Sequence, residues 1–482
     1  MFVAEELGIP AGQDADMSSE PTPLKARNNE AWAERGVRWR ALLALLLGAA
    51  LATLPSTLFS IVLFHHMQRL ALPMFSVALF YPPYPIGLFL ASLPAAAFLD
   101  RFGPRRIFLV SIALVSALSI AAALPLEPWV LIGLRFLQGM ASAGLLVACL
   151  ALVRPVFGEA RQGIGLGFVV VAGVAGAALL PMLLGLAASI GPAGPVLISL
   201  LLVLTVFAMG WQALPAGVPN AVLDVMGTVL NFLSLGLLLG ALHFAPFRPW
   251  LSLALFISGL LVLTLWVWRQ KGRTVSVLPL DLLMRPESRY AVGAALLGGL
   301  AIAAIGTSTP SRLMVGEAVS PEALGLLLLV GAATTILAAC LGGWGIQRWS
   351  GWQAAMVGTL FLTAGVAVLA LPWGGMAGAS VAVVILGAGR GLFESGNARA
   401  LVGDAPPGRE AAAAGLLVAA GALGGVLAPF LTLLLFLLGE PAGDDPDNAF
   451  PAGLGLQGLL VLLAAWLSKA GGKPSPPTRR SA

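Results

Sequence analysis

Long apolar runs separated by short polar connections organise this chain. A helix needs about 20 apolar residues, at 1.5 Å each, to cross about 30 Å of hydrocarbon. Fourteen runs approach that length, at approximately 41–64, 73–98, 107–125, 129–153, 163–188, 193–213, 222–243, 249–268, 289–310, 322–345, 354–372, 377–400, 410–437 and 455–468. The last is short, and the 288–312 stretch is interrupted by Thr307–Pro310, so thirteen is the alternative count. The pattern predicts an all-α integral membrane protein.

Composition supports this and excludes a soluble reading. Hydrophobic residues make up 59% and charged residues 10%, against about 25% charged in soluble proteins. Mean hydropathy is +0.94. So few charges cannot cover the surface of 482 residues in water, so lipid must be the solvent for most of the chain. Cys149 and Cys340 lie inside apolar runs without metal-ligand spacing, which reads as packing. Residues 1–40 carry Glu5, Glu6, Asp14, Asp16, Glu20, Glu30 and Glu34. That is unlike the basic start and apolar core of a secretion signal, and the segment reads as a polar cytoplasmic tail.

Charge placement sets the topology. With the N-terminus inside, the outer connections hold Arg69, Arg248 and Arg312, while Arg135 and Arg390 lie within spans. Subtracting these five from 27 Lys and Arg leaves 22 on the cytoplasmic side or its edge. The positive-inside rule then favours an even span count with both ends cytoplasmic.

The chain also repeats. RQGIGLGFVVVAGVAGAALLP at 161–181 and REAAAAGLLVAAGALGGVLAP at 409–429 align at a shift of 248, matching Arg161 to Arg409, Gly167 to Gly415, Gly173 to Gly421, Gly176 to Gly424 and Pro181 to Pro429. Repeats of the same orientation mean two similar helix bundles, with a binding site expected at their interface. The shift exceeds six spans because 222–243 and 249–268 lie between the halves. The expected organisation is a tail at 1–40, a six-helix bundle at 41–213, a two-helix insert at 214–273, a linker at 274–288, a second bundle at 289–468 and a tail at 469–482.

Chemistry-bearing residues are few. The loop LDRFGPRR after span 2 contains Asp100, Arg101, Gly103, Arg105 and Arg106. It anchors topology, and Gly103 and Pro104 suit a tight turn. In span 4, Arg135 sits in an apolar helix with Gln138 one turn on. A buried charge there costs at least about 2.5–3.5 kcal/mol unless it faces a polar interior, so it is either a functional or gating arginine or a satisfied structural one. In span 12, Arg390 and Glu394 are four apart and able to pair, with Asn397 beyond them. A gate or structural ion pair, a coupling or substrate site, and a mere edge charge are all open readings. The YPPYP stretch at 81–85, containing Tyr84, bends span 2 either to shape a cavity or to pack. His65, His66 and His243 fall at outer span ends without metal-site spacing. Glu440, Asp444, Asp445 and Asp447 read as a solvated loop. No phosphate-binding Gly-Lys-Ser/Thr loop is present, and no catalytic constellation or base-stacking patch appears, so an enzyme, a nucleotide-driven pump and a nucleic-acid partner are not expected.

The Asp-Arg-x-Gly-x-Arg-Arg loop after span 2 and Arg-x-x-Gln-Gly in span 4 resemble the major facilitator superfamily. Gly176, Pro181 and Gly185 in span 5 resemble a worn form of its antiporter motif, Gly-x-x-x-Gly-Pro-x-x-Gly-Gly, with Leu180 and Leu184 replacing two of its glycines. Asp224 at the head of span 7 and VLPLDLLMRP at 277–286 resemble the fourteen-span drug:proton antiporter branch. The resemblance implies two rocking six-helix bundles with two extra central helices, and proton-driven export of a small amphipathic or hydrophobic compound. With Arg390 and Glu394, which stand out as charges inside span 12, Arg135, Gln138 and Tyr84 are the substrate or proton-coupling candidates, and the 99–106 loop is a candidate gate. Two departures stand against it: span 1 has Thr53, Ser56 and Thr57 but no acid, and the loop motif opens on Ala96 rather than glycine. The missing acid keeps an uncoupled exporter or a lipid or solute facilitator in view, and a non-transporting membrane sensor or scaffold is the rival of another class. The expected protein is a monomer without cofactor or metal, multi-pass in a bacterial inner membrane.

Overall fold

A computed structural model of the protein describes residues 39–55, 82–122, 124, 126–190, 194–217, 222–245, 248–271, 276–311, 321–345, 349–370, 375–439 and 449–471. Each apolar run of those residues carries a helix. The first six are α1 (Trp39–Leu51), α2 (Pro83–Phe102), α3 (Pro104–Ala122), α4 (Pro128–Ala151), α5 (Gln162–Ile190) and α6 (Gly194–Ala213). A pair follows, α7 (Val225–Phe244) and α8 (Pro249–Gln270). The remainder are α9 (Pro286–Ser311), α10 (Pro321–Gly345), α11 (Gly351–Ala370), α12 (Gly375–Ala398), α13 (Glu410–Gly439) and α14 (Ala449–Gly471). Among the described residues twelve helices, α2 to α13, are long and apolar enough to cross a membrane, so the chain is a multi-pass membrane protein. The apolar helix Trp39–Leu51 and the apolar part of α14, Gly458–Gly471, fall below that length. The α9 helix runs through Thr307–Pro310, where the sequence read a break. A proline this close to a helix end removes only one hydrogen bond near a terminus that frays in any case.

Local chemistry sets several ends. Prolines at the first helical positions open α4 and α8, where a missing N–H costs nothing. Asp224 caps α7, its carboxylate accepting from the Gly227 N–H at 2.9 Å, as expected of an N-cap acid. Between α2 and α3, Gly103 takes φ 88° and its N–H bonds the Leu99 carbonyl at 2.9 Å. A side chain at Gly103 would also strike the Ala216 carbonyl oxygen, 2.4 Å from the Cβ position.

In lipid the hydrophobic effect does not drive helices together, so close contact through small residues must do so. Helices α1–α6 pack among themselves and α9–α14 among themselves. The two groups meet where α2 and α4 touch α13 and where α5 touches α10 and α12. The 248-residue repeat is visible in this packing. A Cβ at Gly176 would lie 2.5 Å from the Ala50 carbonyl oxygen on α1, and one at Gly424 would lie 2.4 Å from the Leu300 amide on α9. Likewise Gly139 of α4 meets the Tyr84 carbonyl of α2, while Gly387 of α12, again 248 residues on, meets the Gly331 carbonyl of α10. The last correspondence is a repeat that the sequence reading missed.

Candidate functional site

A cavity of about 1080 Å³ lies between the two groups of helices, walled by residues such as Leu146 and Val169 on one side and Ala295 and Leu329 on the other. Its lining is aliphatic and glycine-rich, with Phe393 the one aromatic among the described residues that wall it. Polar side chains are sparse: Thr53, Thr309, Thr335, Arg390, Glu394 and Asn397.

The last three form a stripe on α12, because positions 390, 394 and 397 follow the helical period. Arg390 donates from Nε to Glu394 Oε1 at 2.9 Å, with the two side chains 44% and 27% exposed. Both therefore reach the cavity while paired. Their charges cancel, so the cavity carries no net charge from these two groups until a proton or a ligand intervenes. Asn397 lies deeper, 1% exposed.

Arg135 is placed differently. It is 2% exposed and does not line the cavity. Its Nη1 donates to the Pro55 carbonyl at 3.2 Å and to Gln138 Oε1 at 3.3 Å, and the guanidinium lies 4.8 Å from the centre of the Tyr84 ring. Gln138 in turn donates to the Leu118 carbonyl at 3.2 Å, and the Tyr84 hydroxyl donates to the Ala52 carbonyl at 3.0 Å. Ser142 donates to that same carbonyl at 3.2 Å. Arg135, Gln138 and Tyr84 are thus brought together within the first group of helices, where Arg135 and Tyr84 satisfy carbonyls just past the end of α1 and Gln138 satisfies one within α3. Of the coupling candidates, only Arg390 and Glu394 meet the cavity.

The loop candidates lie at one end of the molecule. Asp100 and Arg101 fall in the last turn of α2, Arg101 and Arg106 are exposed, and the Arg105 guanidinium stacks over Trp211 of α6 at 5.2 Å. Gly176 and Pro181 lie within α5, as does Gly185; the surroundings of Pro181 and Gly185 are outside the described residues. His65, His66 and the acids from Glu440 to Asp447 lie outside them as well. His243 sits edge-on to Phe244 near the end of α7.

The two groups are latched together at this same end by residues the sequence reading did not single out. Arg154, in the short helix Val153–Phe157, pairs with Glu410 at the head of α13 at 2.8 Å and donates to the Ala405 carbonyl at 3.3 Å. Glu159 also pairs with Arg154. Gln162, at the head of α5, donates to the Val402 carbonyl at 3.3 Å. Val402 belongs to a π-helical turn, Arg399–Gly403, that ends α12. These two contacts are one contact repeated: adding 248 to 162 gives 410, and adding 248 to 154 gives 402. Asp281, from the VLPLDLLMRP segment, pairs with Arg409 beside the latch. At the membrane edge Asp224 accepts from Arg269 Nη1 at 2.8 Å and from Gln270 Nε2 at 2.7 Å. Burial alone would push its carboxyl up, but the hydrogen bonds from Arg269, Gln270 and the Gly227 N–H, with the Arg269 charge, together hold it below its ordinary range.

Residues 45–429 match the sequence profile of the Major Facilitator Superfamily. The chain is 26% identical to the uncharacterized transporter YebQ of Escherichia coli (strain K12), over 89% of this chain and 95% of that protein. It is 26% identical to the tetracenomycin C resistance and export protein of Streptomyces glaucescens, over 87% and 80% of the two chains. Its fold is similar to the crystal structure of the human organic anion transporter MFSD10 (TETRAN), with a TM-score of 0.65 and 16% identity, covering 88% of this chain and 99% of that one.

Proposed function

The chain belongs to the major facilitator superfamily, and from that membership we propose that it exports small amphipathic or hydrophobic compounds by proton antiport and alternating access. It is a transporter of small molecules and not an enzyme. The observation that carries the finer reading is the Arg390–Glu394 pair standing in an otherwise aliphatic cavity between the two helix groups. An apolar wall accepts a hydrophobic body without specific polar partners. The carboxylate of Glu394 is the one acid among the described residues lining that cavity. Protonating it cancels its charge and releases Arg390, so proton occupancy and ligand occupancy act on the same few atoms. A ligand that binds the unprotonated cavity more tightly excludes the proton, and by linkage the proton excludes the ligand. That reciprocal exclusion, together with rocking of the bundles, is what antiport requires. The name of the Streptomyces relative, an export protein, supports the direction.

In the full reading α1 and α14 belong to two further crossings, giving fourteen, with α7 and α8 as a central pair between bundles at 41–213 and 289–468. Both ends are cytoplasmic, in a bacterial inner membrane. The excess of Lys and Arg on one side supports this orientation, and single cysteines at Ser19 and Ser475 should resist an impermeant thiol reagent in intact cells.

The test is transport of a panel of amphipathic fluorescent compounds in proteoliposomes, with and without an imposed pH gradient. The parent protein should export against a substrate gradient only when the pH gradient is present. Glu394→Gln should abolish uphill export and retain slow exchange down a substrate gradient. Uphill export by Glu394→Gln equal to the parent would remove Glu394 from coupling. The absence of an acid in the first apolar run favours a second reading, an uncoupled exporter or lipid or solute facilitator. Transport by the parent that ignores the gradient would select it.

A further inference from the structure

Helix α2 contains Pro94. Proline has no N–H, so the carbonyl four residues earlier loses its helical donor. That carbonyl belongs to Leu90. Asn231 of α7, fully buried, donates to it from Nδ2 at 2.8 Å. The side chain of a central-pair helix therefore replaces the backbone hydrogen bond that Pro94 removes from α2.

The position of this repair matters because α2 packs across the bundle boundary on α13. A Cβ at Gly415 of α13 would lie 2.9 Å from the Ser92 carbonyl oxygen and 3.1 Å from the Ala96 Cβ, so the two bundles touch on either side of Pro94. Helix α2 is thus held at the same point from both sides, by α13 across the boundary and by Asn231 from the periphery. A second, independent attachment lies at the end of α2. The α6–α7 connection packs on the Gly103 turn, where a Cβ at Gly217 would fall 2.5 Å from Pro104 Cδ and one at Gly103 would fall 2.4 Å from the Ala216 oxygen. The buried residues of α7, namely Gly227, Leu230, Asn231, Ser234 and Ala241, include one face at helical spacing, and α7 touches α2. Asp224 joins α7 to Arg269 and Gln270 of α8, which extends the attachment to the whole pair.

We propose that Asn231 is a positioning residue for the Pro94 hinge of α2, and that the α7–α8 pair is a splint that sets the balance between open and closed arrangements of the latch end. A helix interrupted by proline bends most easily where its hydrogen-bond ladder is broken. A donor supplied from outside restores the ladder only in the arrangement where donor and carbonyl meet, so it favours that arrangement. The structure is latched at this end with the Asn231 bond made, so the bond stabilises the closed state. The inference stands apart from the identity of the substrate and from proton coupling.

The test uses the full-length protein in liposomes, with Cys149→Ala and Cys340→Ala and spin labels on cysteines introduced at Arg161 and Pro407. Both sites are exposed and lie on opposite sides of the latch. Electron–electron distance measurements then report the ratio of closed to open populations. Asn231→Leu should lower that ratio about fivefold, the factor that one hydrogen bond of about 1 kcal/mol commands. Pro94→Ala restores the N–H that serves the Leu90 carbonyl, so in that background Asn231→Leu should change the ratio less than about 1.5-fold. Equal shifts in both backgrounds would make Asn231 a packing residue and overturn the proposal. No shift in either, or one unmoving distance in every variant, would overturn it too. Heat stability read on the same samples separates a hinge effect from general loosening. Should Asn231→Leu fail to insert, Asn231→Ser replaces it in both backgrounds with the same outcomes.

Discussion

Arg135 in α4 and Arg390 in α12 are the same side chain in equivalent helices of the two halves, yet their surroundings differ in kind. Adding 248 to 135 gives Val383, so Arg390 lies seven residues further along its helix, about 10 Å at 1.5 Å per residue. Arg135 is 2% exposed and bonded within its own bundle to a carbonyl and an amide. Arg390 is 44% exposed in the cavity and bonded to a carboxylate. A buried arginine that satisfies carbonyls can change little without leaving them unpaired. An arginine half in a cavity and paired with one carboxylate keeps donors facing the cavity while that pair holds. Residue type therefore marks a polar interior, and the partners decide whether that side chain is locked into the fold or left facing the cavity.

The sharpest way to break this comparison is to remove each arginine. Arg135→Leu leaves the Pro55 carbonyl and the Gln138 oxygen without their buried donor and should cost about 3 kcal/mol, from one or two charge-assisted hydrogen bonds of about 1.5–3 kcal/mol each. Arg390→Leu should cost less than about 1 kcal/mol, since its side chain is nearly half exposed, while uphill transport falls at least about tenfold, or 1.4 kcal/mol in the transport barrier. Heat stability in detergent and transport in proteoliposomes read the two quantities separately. Similar losses of stability for both variants would erase the distinction.

A third arginine sharpens it. Arg154 does not line the cavity; besides Glu159 of its own half it bonds across the boundary to Glu410. Glu410→Gln should weaken only the closed arrangement, by about 1–2 kcal/mol, and Gln162→Leu, which removes a neutral bond, by about 1 kcal/mol. The population ratio between closed and open states checks both, and a double-mutant cycle of Arg154→Gln with Glu410→Gln should give a coupling that the pair of Gln162→Leu with Glu410→Gln lacks.

The smallest expected effect concerns Arg269, whose partner Asp224 sits at the membrane edge. Its carboxyl lies below the ordinary range, so the folded state holds the charged form more firmly than the unfolded chain does. The stability it contributes is present above the unfolded carboxylate value of about 3.9 and is lost as pH falls through the lower folded value. The difference in melting midpoint between the parent and Asp224→Asn should be constant above about pH 4 and shrink below it. A difference that grows on acidification would reverse the sign of the interaction.

Much of this was legible in the sequence, for physical reasons. Lipid demands unbroken apolar length, so the helices α2 to α13 are written as runs in the chain. Duplication leaves glycine matches, so the packing of Gly176 and Gly424 follows from the 248-residue shift. The Gly139–Gly387 match obeys the same shift but lies where neighbouring residues have diverged, and only the close backbone approach reveals it. Arg135, Arg390 and Glu394 stand out because a charge in an apolar run is costly, but exposure and partners depend on which way a helix is turned. Arg154 and Glu410 are 256 residues apart and sit at helix ends where charges are ordinary, so nothing local marks them as a pair. Asn231 offered half a signal, because Pro94 implies an orphaned carbonyl at Leu90 without saying which side chain answers it.

The duplicated latch has a consequence for how freely its positions can vary. On one side Glu410 recognises the side chain of Arg154; on the other Gln162 recognises only the main-chain oxygen of Val402. Every amino acid carries that oxygen, so position 402 is free to drift as far as its packing allows while its half of the latch persists. Position 154 has no such freedom, because its bond is made by a guanidinium that no other residue supplies. The two halves of the latch therefore differ in tolerance to substitution, one tied to residue identity and the other indifferent to it.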